Sequence, residues 1–268
     1  MVAVQFWRKD EEDVRSLHLE NSCMSLYKRR AGSILLDWAR DSGLSRCWTG
    51  VLGRDFLPGS GFAEKKKKTQ VGSSGIVRWT LLELMKNPHI MAKAQSEVRR
   101  VFKGKKSYDE KDIEKLTYLN LVIKETLRLH APVPLLAPRE QTVIDGYTIP
   151  INTRVIVNGW TIGRDPESWD DHDNFIPERF ENSSVDFIGN HFEFIPFGAG
   201  RRICPGMVFG LANVELPLAQ LLYHFDWKLP NGTKPNDLDM TETHGLSAAR
   251  AKDLYLIVVD HKNDEEKF

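Results

Sequence analysis

Apolar and polar positions along this chain fall into two regimes that meet near residue 70. Before it, charged residues, tryptophans and glycines mix without a sustained period. Only Ile34-Leu35-Leu36-Asp37-Trp38-Ala39-Arg40 reads as a short amphipathic helix. After it the periods become regular. Ile76 to Lys86 predicts a helix, and Asn87-Pro88 predicts a cap and the start of a second one, because Pro at the first helical position lacks only an N–H that has no partner there. That helix runs to about Phe102 and stops at Gly104. Tyr118 to His130 predicts another helix, ending before Pro132 as steric pressure on the residue before proline requires. Gln141 to Ile149 predicts a hairpin turning at Asp145-Gly146. Thr153 to Trp160 alternates β-branched residues and predicts a strand. Gly206 to Phe225 predicts a long apolar helix kinked at Pro217, and Asp253 to Val259 a last strand. The pattern is that of a mainly α chain with small β-ribbons, divided into an unassigned segment 1–70 and a domain 71–268.

Composition narrows the classes. With 268 residues the chain is long enough to bury a sizeable core. Its 37 basic and 37 acidic residues balance, so no field favours nucleic acid. Lys65-Lys66-Lys67-Lys68 reads as a solvated linker, with nuclear import as the alternative for such a run. Cys23, Cys47 and Cys204 are too few and too scattered for a disulfide framework or a zinc site, and fit a reducing compartment. No apolar run reaches the length of about 18 residues that a membrane-spanning helix needs. The start, Met1-Val2-Ala3-Val4-Gln5-Phe6-Trp7-Arg8, turns charged too soon for a signal peptide.

Candidate chemistry concentrates in Phe197-Gly198-Ala199-Gly200-Arg201-Arg202-Ile203-Cys204-Pro205-Gly206. A lone cysteine is ordinarily a small buried hydrophobe. This one has glycines on both sides, which let a backbone approach a flat macrocycle closely. Arg202 offers a fixed charge for a haem propionate, and Phe197 can keep water from the sulfur. An axial thiolate pushes electron density onto iron. The eight histidines are rival ligands, but none has such an approach, and each reads as a surface or core histidine. Glu125 and Arg128 share a helix face. They form either an ordinary surface pair, worth under about 1 kcal/mol, or part of a network closed by Arg179 of Phe175-Ile176-Pro177-Glu178-Arg179-Phe180. Pro132-Val133-Pro134-Leu135-Leu136-Ala137-Pro138-Arg139-Glu140 is a stiff extended segment, whose plain alternative is a Pro-rich connection.

The Cys loop fits F-x-x-G-x-R-x-C-x-G at every fixed position and resembles the haem loop of the cytochrome P-450 family. Glu-x-x-Arg followed by Pro-Glu-Arg-Phe resembles the core triad of that family. The resemblance covers roughly residues 73–260. In Glu83-Leu84-Met85-Lys86-Asn87-Pro88, Val122-Ile123-Lys124-Glu125-Thr126-Leu127-Arg128-Leu129-His130, Asp145-Gly146-Tyr147-Thr148-Ile149-Pro150 and Asn213-Val214-Glu215-Leu216-Pro217-Leu218-Ala219 it is similar to plant microsomal members that oxidise terpenoids and other lipophilic secondary metabolites. The resemblance implies the C-terminal half of the P-450 fold and haem b (iron protoporphyrin IX) as cofactor. Cys204 would be the axial ligand, Arg202 and Arg139 would hold propionates, and Phe197, Gly198 and Gly206 would shape the loop. Glu125, Arg128 and Arg179 would lock the core structurally. Val133, Leu135, Leu136 and, in a late turn over Thr243 to Leu246, Leu246 would face substrate. It further implies insertion of one oxygen atom from dioxygen into a lipophilic small molecule. Electrons would come from an NADPH-dependent flavoprotein reductase docking near Arg201 of a monomer. The family's place is the cytosolic face of the endoplasmic reticulum membrane. A chain without the membrane anchor would be cytosolic.

Two departures stand out. Counting back from Trp79 and Glu83, the family's distal acid–alcohol pair falls on Val71 and Gly72, neither of which relays a proton. Ser73 and Ser74 are displaced from those positions and point elsewhere on a helix. Residues 1–70 do not resemble the family's N-terminal half and read as unrelated or misjoined sequence, leaving the fold incomplete. A non-catalytic remnant is therefore a second reading. An isomerase or lyase that needs no dioxygen is a third.

Overall fold

The computed structural model describes residues 71–105, 108–131, 135–136, 142–144, 146–149, 157–243, 250–252 and 254–261. Six α-helices lie among them: α1 (Val71–Lys86), α2 (Pro88–Phe102), α3 (Glu110–Ile113), α4 (Thr117–Leu129), α5 (Gly159–Ile162) and α6 (Met207–His224). Three antiparallel ribbons accompany them. Leu135–Leu136 (β1) pairs with Val157–Asn158 (β4), Thr142–Ile144 (β2) with Tyr147–Ile149 (β3), and Phe225–Lys228 (β5) with Ile257–Asp260 (β6). The architecture is mainly helical with small ribbons, as the hydrophobic pattern predicts.

The core forms where α6 packs on α1, α2 and α4. Trp79, Leu82 and Leu84 of α1, Val98 and Phe102 of α2, Leu119, Val122 and Leu127 of α4, and Leu218 and Leu222 of α6 are all buried there. Burying side chains of this size contributes about 1.5–3 kcal/mol each.

Local devices fix the helix ends. Asn87 is expected as a cap for α2, but its side chain donates backwards to the Glu83 carbonyl at 2.9 Å and makes no capping bond. The start of α4 has no cap of its own, because Leu116 precedes it. Glu97 reaches across from α2 instead, accepting from the backbone N–H groups of Tyr118 and Leu119, both at 2.9 Å. This satisfies donors that every helix start leaves open, and the negative charge complements the helix dipole.

The predicted hairpin is present: Ile144 pairs with Tyr147, and Gly146 takes φ +80°. Other expectations need correction. The strand predicted to reach Trp160 ends at Asn158, whose side chain accepts from Thr161 N–H at 3.2 Å and opens α5, so Trp160 is helical. Asn158 competes with the ladder by its local hydrogen bond. The apolar helix ends at His224 rather than Phe225, and Phe225 begins β5, where Gln95 and Arg99 of α2 donate to its carbonyl. Pro217 lies inside the continuous helix α6. The last strand is Ile257–Asp260 instead of Asp253–Val259. The first helix starts earlier than expected, at Val71. The amphipathic piece Ile34–Arg40 and the lysine run 65–68 lie outside the described residues. Among the described residues no helix is long and apolar enough to cross a membrane.

Candidate functional site

The loop before α6 is built by its glycines. Gly198 takes φ +77° and Gly200 φ +68°, the left-handed region that side chains disfavour. These turns let Gly198 N–H bond the Ile195 carbonyl at 3.0 Å and Cys204 N–H bond the Phe197 carbonyl at 2.9 Å. The second bond folds the loop back on itself and presents Cys204, which is exposed. A Cβ built on Gly206 would lie 4.0 Å from the Cys204 sulfur, so the thiol stands beside the first residues of α6. A helix N-terminus favours negative charge near it, a contribution the sequence reading did not include. Arg201 and Arg202 are exposed on the same loop.

The surroundings fit a flat, apolar, thiolate-ligated group. Val208 and Phe209, on the first turn of α6, are 77% and 72% exposed. They add exposed apolar side chains to the same helix start that Cys204 precedes. Among the described residues no cluster of His, Cys, Asp or Glu could hold a bare metal ion. A single sulfur donor flanked by apolar surface suits a metal that brings its other ligands with it, as haem does.

Behind the loop, the three residues of the predicted network meet. Glu125 and Arg128 are fully buried and joined by two bonds of 2.8 Å, Nε to Oε2 and Nη2 to Oε1. Arg179 Nε adds a third bond to Oε1 at 3.0 Å, and Ile176 N–H a fourth at 2.8 Å. Arg128 spends its remaining donors on the carbonyls of Gly163, His172 and Asn174. Arg179 donates to those of Asp170, Asp171 and Asn174. The exposed-pair alternative is excluded by this burial. A row of rings then runs to the Cys loop. Arg128 lies over Trp169 at 5.3 Å, and Trp169–Phe180, Phe180–Phe194, Phe194–Phe187 and Phe187–Phe197 centroids are 5.6, 5.1, 6.4 and 5.6 Å apart.

Across the loop lies α1. Ser73 Oγ donates to the Gly210 carbonyl of α6 at 3.2 Å, so its hydroxyl is engaged away from any distal role. Gly72 follows Val71 at the start of α1, the positions where the sequence reading places the family's acid–alcohol pair. Arg139, Val133 and Leu246 lie outside the described residues, and of Leu135 and Leu136 only the pairing in β1 is described. Sequence reasoning also left His130 as a surface or core histidine, without deciding between them. It is buried, and it bridges Glu83 and Glu242.

Comparison with known proteins completes the picture. The family model described as Cytochrome P450 matches residues 72–257. The chain is 54% identical to premnaspirodiene oxygenase of Hyoscyamus muticus over 263 residues, 95% of this chain and 51% of that protein. That match extends into the segment before residue 71 that the sequence reading left unassigned. It is 63% identical to cytochrome P450 71D7 of Solanum chacoense over 193 residues, 71% of this chain and 39% of the relative. It is 61% identical to 5-epiaristolochene 1,3-dihydroxylase of Nicotiana tabacum over 197 residues, 72% and 39% of the two chains. The chain thus spans about half, or less, of the length of these curated relatives. A glycine-built loop presenting one exposed thiol, braced by a buried Glu-Arg-Arg network and matched over most of the described residues, makes this chain a member of the cytochrome P450 family.

Proposed function

We propose that residues 71–268 provide the haem-thiolate portion of a monooxygenase site, with Cys204 as axial ligand of haem b. The observation that carries this is the exposed Cys204 thiol beside the start of α6, bordered by exposed Val208 and Phe209. When bound, a thiolate-ligated haem supplies dioxygen activation. The residues of this chain bind and orient it. Arg202 and Arg139 hold propionates, Phe197 with Gly198 and Gly206 shapes the approach to the sulfur, and Glu125, Arg128 and Arg179 keep the core behind the loop rigid. Val133, Leu135, Leu136 and Leu246 face substrate.

The substrate is a lipophilic, terpenoid-like secondary metabolite. Relatives named for oxygenating premnaspirodiene and dihydroxylating 5-epiaristolochene support that class. Electrons come from an NADPH-dependent flavoprotein reductase docking near Arg201, and the working place is the cytosolic face of the endoplasmic reticulum. A second reading, a haem-binding chain without turnover, rests on Val71 and Gly72 and on the engaged Ser73 hydroxyl, which leave no proton donor at the expected positions.

Incubation of the haem-loaded chain with such a reductase, NADPH and a sesquiterpene hydrocarbon separates the readings. A product heavier by one oxygen supports monooxygenation. Bound haem that consumes NADPH and releases peroxide without product supports the second reading and refutes the first.

A further inference from the structure

His130 closes α4 and is 5% exposed. Its Nε2 lies 2.9 Å from Glu83 Oε1 on α1, and its Nδ1 lies 3.0 Å from Glu242 Oε1. Glu242 itself pairs with Arg250 in an isolated bridge. Each nitrogen–oxygen contact needs a proton. A neutral imidazole brings one and two ionised carboxylates bring none, so the three groups together hold one proton more than that.

The ring face says where the proton resides. Trp79 lies flat on His130, centroids 3.9 Å apart and planes 3° from parallel. Neutral rings avoid such a face-to-face sandwich because their negative faces meet. A cation over an indole face is attracted by it. The local charge agrees. Arg164 is in electrostatic reach of both Glu242 and Glu83. Two carboxylates face the two ring nitrogens in a region where Glu83 is 4% exposed, which favours the charged form of the ring between them. The neighbouring Arg128 is already committed to Glu125, and Asp173 is largely in solvent.

We propose that His130 is a cationic positioning residue, an imidazolium that joins α1, the end of α4 and the Glu242–Arg250 bridge. Those anchor points matter for the segments they precede. Pro132–Glu140, with Val133, Leu135, Leu136 and Arg139, begins two residues after His130, and Leu246 follows Glu242 by four. The charge state and the joining of segments stand on their own geometry. Only the benefit to a substrate pocket rests on the proposed function.

The test uses the full chain without haem, so failure of the haem reading leaves it intact. Histidine labelled with nitrogen-15 reports the ring directly, with His130→Gln serving to assign its signal. At neutral pH both His130 nitrogens carry protons in the wild type. In Glu242→Gln, which keeps side-chain shape at a partly exposed position, the ring shifts towards a neutral tautomer. Limited proteolysis between Thr241 and Arg250 becomes about ten-fold faster, since cleavage follows the population of the opened segment. A wild-type ring with one unprotonated nitrogen would overturn the charge. Equal cleavage rates in wild type and Glu242→Gln would overturn the positioning role.

Discussion

Replacing Glu125 by Gln leaves the shape of the buried network and removes its only carboxylate. Four donors converge on Glu125: Arg128 Nε and Nη2, Arg179 Nε and Ile176 N–H. An amide can accept at one end only. Its NH2 then faces a guanidinium donor, one bond is lost, and two cations remain where one carboxylate had offset them. Breaking a buried ion pair from one side costs about 3–5 kcal/mol. The carbonyls of Gly163, His172 and Asn174 around Arg128, and of Asp170 and Asp171 beside Arg179, still solvate the charges. The loss therefore falls near the lower end, about 3 kcal/mol. Arg128→Ala falls nearer the upper end, because it also takes the Arg128 donors from the Gly163 and His172 carbonyls and leaves a cavity. Urea unfolding, with a slope of about 1–3 kcal/mol per molar, translates 3 kcal/mol into a midpoint lower by about 1–3 M. A loss below about 1 kcal/mol, the worth of an exposed pair, would refute the reasoning.

Gly163→Ala should be as damaging as a core mutation, because its Cβ would meet the Arg128 carbonyl oxygen at 2.4 Å. A loss of about 1–3 kcal/mol by denaturant titration is expected, and an unchanged midpoint would contradict it. Gly75→Ala has nothing within 4 Å of the new Cβ and lies in α1, so it should raise stability by up to about 1 kcal/mol in the same titration. Glu97→Ala removes the cap that α4 lacks in its own sequence and should cost about 1–3 kcal/mol, with early exchange of the Tyr118 and Leu119 amides. Burial pulls the His224 imidazole from its ordinary 6.5 down to about 4. The unfolded chain therefore binds this proton first on acidification, and stability falls as pH drops from about 6.5 towards 4. His224→Leu should lack that portion of the pH profile measured by thermal melts.

Long periodic segments made the helices legible: α2 and α4 have apolar stripes flanked by Pro88, Gly104 and Pro132, and the fold follows them. The Asn158 boundary was not legible, because β-branched alternation up to Val157 says nothing about a side chain that opens a helix one residue later. Glu97 was missed for a related reason: its partners, Tyr118 and Leu119, lie on another helix, and no local spacing encodes the contact. The Cys loop was legible since its glycines and cysteine act within ten residues. The Glu125–Arg128–Arg179 network was partly so. Spacing placed Glu125 and Arg128 on one face, but only burial distinguishes a core pair from a surface pair. His130 carried no signal beyond its type, since Glu83 and Glu242 lie 47 and 112 residues away.

The central claim is that Cys204 is an axial thiolate for haem. The most direct measurement is the carbon monoxide difference spectrum of the haem-reconstituted, dithionite-reduced chain beside its Cys204→Ser variant. The account predicts a strongly red-shifted Soret band in the first and its loss in the second. A histidine-like band in both, or the red-shifted band surviving in Cys204→Ser, would contradict it.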